Sequence, residues 1–398
     1  MKPGQVPLLT VLTLAAALGA GRHAATAATT GPAGTAFYAP PSPLPAGTHG
    51  DVIWSRPLQG AAALPAAAEN TLVLYHTTSV TGADVAVSGA IAIPKGDPPA
   101  RGWPIVSWAH GTTGNAPQCA PTRDGTANLE QRYLDAWVAR GYAVLQTDYE
   151  GQGVPGLHPY LVGAAAARDV TDIVRAARQL YPKLGTRWFA LGHSEGGSAS
   201  IFTGAVGPAW APELQLLGAV SFAPVSHIAS LLYSVPNMKE PGGDVVLTLE
   251  MIEGIASSDP AIHLSDLMTR QAFAKLPEIQ RRCTEALMND NAWNDLAPAD
   301  IFRPDADMQP LLVDFARNES NRVHLDVPLL LMQGDSDDVI KPRLTDLVDA
   351  ELCRNGTRVT YDRLKGKDHD SIVTGSLPQV EAWVDAVAAG TPPPSTCP

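Results

Sequence analysis

"RWFALGHSEGGSA", residues 187–199, decides the fold. It opens on an apolar run, 188–191, that suits a buried strand, and it closes on small residues that suit the start of a helix. Between them, Gly192-His193-Ser194-Glu195-Gly196 fits the pattern G-x-S-x-G. A strand that turns sharply into a helix leaves no room for bulk, and glycines two places before and two after the serine let the two elements approach. The serine then stands above the sheet at a helix N-terminus, where backbone N–H groups face a developing oxyanion. The pattern alone is common by chance. Flanked by strand and helix, it predicts a nucleophile elbow with Ser194 at its tip.

Working outward, the chain repeats strand, loop and helix. Apolar strands are expected at 104–110, 142–149, 187–193, 217–223, 327–334 and 358–364. Helices are expected at 129–140, 161–180, after Ser194, near 344–352 and at 378–388. Short apolar strands alternating with helices indicate a parallel sheet covered on both faces. Upstream, 72–80 and 85–93 alternate as strands about a turn at 81–84. The expected class is α/β, an α/β-hydrolase fold with a mostly parallel central sheet and an inserted helical cap. Residues 28–70 read as an extended arm anchored by Phe37, Tyr38 and Trp54. The core is 71–225 together with 326–398. Residues 226–325 break the rhythm, with helix-like stretches, Met238, Met251 and Met268, and no convincing strand. About 100 residues are too many for a plain loop, and they are expected to cap the site.

A serine hydroxyl is a weak nucleophile and needs a base, itself oriented by an acid. In this fold the order is serine, acid, histidine. "LLLMQGDSDDVIKP" offers Asp335, Asp337 and Asp338 just beyond a late strand, and Asp337 sits best, with Asp335 as runner-up. His369, in "KGKDHDSIV", lies between the last strand and the last helix, where the base belongs. The oxyanion donors are expected at the backbone of Glu195 and in the loop Ala109-His110-Gly111-Thr112-Thr113-Gly114, at Gly111 or Thr112. His110 reads as a structural residue of that loop. The chemistry needs no metal and no organic cofactor.

The chain has 398 residues, 45% of them hydrophobic and 17% charged, with a formal net charge of -12. Such acidity, without a basic run, makes nucleic acid and anionic lipid surfaces poor partners but leaves a neutral ester open. The N-terminus, 1–27, reads as a signal peptide: Lys2, an apolar stretch at 6–20, and Ala25-Thr26-Ala27 before the cut. The protein is therefore expected outside the cell. Four cysteines, Cys119, Cys283, Cys353 and Cys397, then suggest two disulfides, with three connectivities open. Their spacing fits no zinc signature.

These segments together resemble the secretory lipase family of lipase-A type. "FYAPPSPLPAGTHGDVIWSRPL" is similar to that family's N-terminal entry, "AHGTTGNAPQCAP" to its oxyanion segment, "DYEGQGVPGLHPYL" to its following loop, and "GHSEGG" to its elbow. "QGDSDDVIKP" and "DHDS" occupy its acid and base positions. The resemblance implies hydrolysis of acyl lipids or smaller esters, with transient contact at a lipid interface, and a cap inserted before the acid strand. It also implies a disulfide from oxyanion segment to cap, Cys119–Cys283, leaving Cys353 with Cys397. Glu195 departs from the pattern, because such elbows more often carry a neutral residue there. The same three residues would also serve an acyltransferase or a peptidase. A non-catalytic binding protein on this scaffold would have no use for them.

Overall fold

The computed structural model describes residues 29–124 and 128–398; the expected signal peptide, 1–27, lies outside the described residues. Nine strands form one sheet: β1 (Val52–Pro57), β2 (Glu69–Thr78), β3 (Asp84–Ile93), β4 (Trp103–Ala109), β5 (Ala143–Thr147), β6 (Leu184–His193), β7 (Gln215–Phe222), β8 (Leu329–Gly334) and β9 (Val359–Leu364). Their spatial order is β1-β2-β3-β5-β4-β6-β7-β8-β9. β1, β2, β3 and β5 pair antiparallel, and every pairing from β5 to β9 is parallel.

Strand periodicity explains the two faces. In β4, Trp103 and Ile105 join one core while Val106 and Trp108 join the other; in β6, Trp188 and Ala190 alternate in the same way with Phe189 and Leu191. The first face is covered by Val170, Ile173 and Val174 of helix Gly163–Leu180. The second is covered by Tyr133 and Trp137 of helix Asn128–Ala139 and by Trp383 of helix Leu377–Ala388. Both faces are covered, so the central strands read as mainly apolar runs, broken by a few buried polar residues such as Ser107 and Ser221.

The N-terminal segment does more than cross the surface as an arm. Val52–Pro57 is the edge strand β1, paired to β2 with a bulge between Val52 and Trp54. That irregularity leaves no clean alternation to read. Phe37 and Tyr38 are buried in their own small cluster with Leu72 and Leu74.

Between β7 and β8 the described residues contain no strand, only helices and turns. The central one, Gly243–Ala256, is apolar nearly all round and buries Val245, Val246, Leu249, Ile252 and Ile255. They pack with Leu287, Trp293 and Phe315 in a core separate from the sheet's two. A helix so largely apolar must be covered on most sides, and the short helices around it do so. Disulfides join Cys119 to Cys283 and Cys353 to Cys397. Among the described residues no helix is long and apolar enough to cross a membrane.

Candidate active site

Ser194 sits between β6 and helix Glu195–Trp210 with φ 57° and ψ -114°, a conformation costly for any residue but glycine. Three hydrogen bonds hold it there. Its N–H donates to the Phe222 carbonyl at 2.9 Å, and its own carbonyl accepts from Val225 and Ser198, each at 3.2 Å. The flanking glycines are forced. A Cβ on Gly192 would lie 2.0 Å from the Gly196 carbonyl oxygen, and one on Gly196 would lie 1.9 Å from that of Ala109.

The late loops bring an aspartate to a histidine. His369 Nδ1 lies 2.9 Å from Asp337 Oδ2. Asp337 Oδ1 accepts from the N–H groups of Val339 and Ile340 at 2.9 and 2.8 Å, and Oδ2 accepts from Gln333 Nε2 at 2.9 Å. Burial pushes this carboxyl up, yet the imidazole, the Gln333 amide and the Ile340 N–H outweigh it and hold it below the usual carboxylate range. The loops that carry Asp337 and His369 meet because Gly334 has no side chain; a Cβ there would stand 2.2 Å from the Lys367 carbonyl oxygen. Asp335 is exposed and accepts instead from Gly366 N at 2.6 Å. Asp338 pairs with Lys341 in solvent. Asp368 accepts from Ser371 N at 2.8 Å, at the start of helix Ser371–Gly375.

Ser194, His369, Gly111 and Thr112 line one cavity of about 490 Å³. A Cβ built on Gly111 would lie 3.6 Å from Ser194 Cβ, so this backbone passes close to the serine. The helical segment lines the cavity mainly with apolar side chains, Leu231, Met238, Leu247, Met251 and Met288, together with Asp244, Thr248 and Thr284, and Val339 comes from the loop that carries Asp337. The segment is fastened to the glycine loop by Cys119–Cys283, by Thr284 N donating to the Thr113 carbonyl at 3.0 Å, and by Asn115 Nδ2 donating to the Glu250 carbonyl at 3.0 Å. His110 Nδ1 donates to the Gly111 carbonyl at 2.7 Å, and its ring packs on Tyr149. Among the described residues, no three His, Cys, Asp or Glu side chains are grouped to hold a metal ion.

Sequence reasoning placed His193 in the elbow without its partner, and did not single out Glu130 or Gln333. His193 Nε2 donates to the His369 carbonyl at 2.8 Å, and the two rings lie 4.5 Å apart. Glu130 Oε2 accepts from Trp108 Nε1 at 2.8 Å, while Oε1 lies 3.6 Å from His193 Nδ1. Gln333 was legible in principle, as a lone amide ending an otherwise apolar strand. Glu130 carried no signal, being one acid in the first turn of an exposed-looking helix. Glu195, whose charge stood out, turns beneath the elbow: Oε1 lies 3.0 Å from His158 Nε2, and both side chains are buried.

Comparison with known proteins follows the same lines. The family model described as "Secretory lipase" matches residues 120–396, more than two thirds of the chain. A relative in Mycobacterium tuberculosis, described as a "probable inactive lipase", is 24% identical over 385 residues, covering 91% of this chain and 83% of that one. Lipase A of Candida antarctica in its closed state superposes with a TM-score of 0.71 at 19% identity, over 90% of this chain and 87% of that chain. The rice cell wall degrading esterase LipA of Xanthomonas oryzae gives 0.69 at 19% identity, over 87% and 100%. At such identities the likeness is one of fold, and the fold is that of α/β-hydrolases.

Proposed function

The chain belongs to the secretory lipase family, and on that premise we propose that it is an extracellular serine hydrolase of carboxylic esters, acyl lipids or shorter acyl esters, acting through Ser194, His369 and Asp337. One observation carries the reading: a strained serine and an aspartate-bonded histidine face the same cavity. Asp337 accepts from Nδ1–H of His369, which leaves Nε2 free to take a proton.

In the proposed reaction His369 removes the Ser194 proton as Oγ attacks the ester carbonyl. The tetrahedral oxyanion accepts from Glu195 N and from Gly111 or Thr112 N, each such donor contributing about 3–4 kcal/mol. The imidazolium protonates the departing alcohol, and water repeats the sequence on the acyl-enzyme. Asp337 fixes the imidazole tautomer and stabilises its charged form. The helical segment acts as a cap, and its methionine-lined wall supports an acyl-chain channel. Methionine suits that role because an unbranched, polarizable side chain adapts to chains of different length.

The probable inactivity of one relative makes a direct assay decisive. p-Nitrophenyl esters from acetyl to palmitoyl are offered to wild type and to Ser194→Ala, with a fluorophosphonate probe alongside. Turnover that falls by about 10⁴-fold or more in the variant, with probe labelling lost, is the expected result. A folded wild type that neither turns over these esters nor labels would overturn the reading.

A further inference from the structure

The buried pair under the elbow must hold a proton. His158 Nδ1 lies 2.9 Å from the Glu150 carbonyl oxygen, which can only accept, so Nδ1 carries a hydrogen. Its other nitrogen, Nε2, faces Glu195 Oε1 at 3.0 Å. That contact is a hydrogen bond in two states alone: imidazolium with carboxylate, or neutral imidazole with carboxylic acid. With neither proton present, a nitrogen lone pair would face a carboxylate in a place without water to screen them. His158 and Glu195 are 2% and 3% exposed, which makes that third state costly.

The pair lies where the oxyanion donors are held. Glu195 N is itself one proposed donor. The His158 ring stacks on Tyr149 at 5.7 Å and 15°, and the Tyr149 hydroxyl donates to the His110 carbonyl at 3.1 Å, immediately before Gly111. Tyr160, whose ring centre lies 6.0 Å from that of His158, has its hydroxyl 2.7 Å from Thr112 Oγ1. The remaining titratable groups facing the pair are Glu150 on its own loop and, from helix Gly243–Ala256, Glu250 with Glu253 beside it. Glu195 Oε2 and Glu250 Oε2 are both buried without a hydrogen-bond partner among the described residues.

We propose that His158 and Glu195 form a positioning pair for the oxyanion hole, one that sets the Glu195 and Thr112 backbones only while a proton is shared between the two side chains. The proposal rests on Ser194 being the nucleophile. It assigns a use to the charge at position 195 that the acyl-transfer steps themselves leave idle.

Replacement by glutamine separates this role from plain structure. The Gln amide N–H donates to a neutral His158 Nε2 with no proton to lose. Wild type, Glu195→Gln, Glu195→Ala and Glu250→Gln are compared for kcat, KM and thermal midpoint on p-nitrophenyl butyrate, from about pH 6 to about pH 10. In wild type, kcat is expected to fall on the alkaline side with KM unchanged. Glu195→Gln should keep kcat within about tenfold of wild type at neutral pH and lose the alkaline fall. Glu195→Ala should lose about 10²–10³ in kcat at every pH, the effect of a misplaced oxyanion donor, with KM within about threefold. If the alanine variant does not fold, the glutamine profile alone decides. An alkaline fall that persists in Glu195→Gln, or that vanishes only in Glu250→Gln, would overturn the proposal while leaving the esterase reading intact. A wild type inert toward every ester would overturn that reading first, and the positioning role with it.

Discussion

At the residue scale, the Asp337–His369 contact is a question of which nitrogen carries the proton. Asp337 has both oxygens committed: Oδ1 to two backbone N–H groups, Oδ2 to Gln333 and His369. Asparagine at 337 would keep the shape but could place an N–H against the imidazole and favour the wrong tautomer. Asp337→Asn is therefore expected to lower kcat by about 10⁴-fold with little change in fold, read from steady-state kinetics beside a circular dichroism spectrum. Asp335→Asn, altering an exposed group that bonds Gly366, should leave kcat within about twofold. Equal losses in the two variants would mean that the acid has been misassigned.

At the element scale, the elbow is a junction of three backbones rather than a motif of five letters. β6 ends, the helix begins, and the end of β4 passes so close that Gly196 faces the Ala109 and His110 carbonyls. Backbone atoms at such distances cannot move aside as a side-chain tip would. Gly196→Ala should cost more than about 4 kcal/mol in urea unfolding, or abolish soluble expression. Gly60→Ala offers a comparison of another kind: its φ is 88° with open space around it, so only conformational strain opposes the change. Its cost should stay at about 1–2 kcal/mol. If the two costs were similar, close approach would not be what reserves position 196 for glycine.

At the scale of the whole molecule, the helical segment is tied to the sheet, beyond its two backbone connections, by one disulfide, and a buried acidic seam runs beside that tie. Cys119–Cys283 closes a separation of 164 residues. Replacing both cysteines by serine should lower the unfolding free energy by about 2–5 kcal/mol. The seam gives a pH dependence of definite sign. Burial raises the Glu250 carboxyl to about 8 against an ordinary 4.5; the Thr284 hydroxyl partly offsets this, and Glu195 and Glu253 add to it. A group raised in the folded state contributes stability that is whole below its unfolded pKa and lost as pH climbs through the folded one. Wild type should therefore lose stability relative to Glu250→Gln between pH 4.5 and about pH 8. Parallel stability curves across that window would mean that Glu250 is not protonated in the fold.

The sequence by itself determined the parallel part of the sheet and the chain order of the candidate residues. Strands buried on both faces must be apolar runs, helices between them must be amphipathic, and a serine at a sharp strand-to-helix turn needs the glycines that Gly192 and Gly196 supply. Order and loop position alone put Asp337 and His369 in line for the structure to bring together. Tertiary structure decided what depends on distant partners. Val52–Pro57 became an edge strand because β2 offered it a register that no local alternation announced. His193 met His369, 176 positions away in the chain, only when the elbow and the last loop converged, and Glu130 came beside His193 from a third stretch. Glu195 showed in the sequence as a charge out of place. Only packing set it against His158 and within reach of Glu250, because a buried carboxylate is defined by the groups that enclose it, and those come from two other parts of the chain.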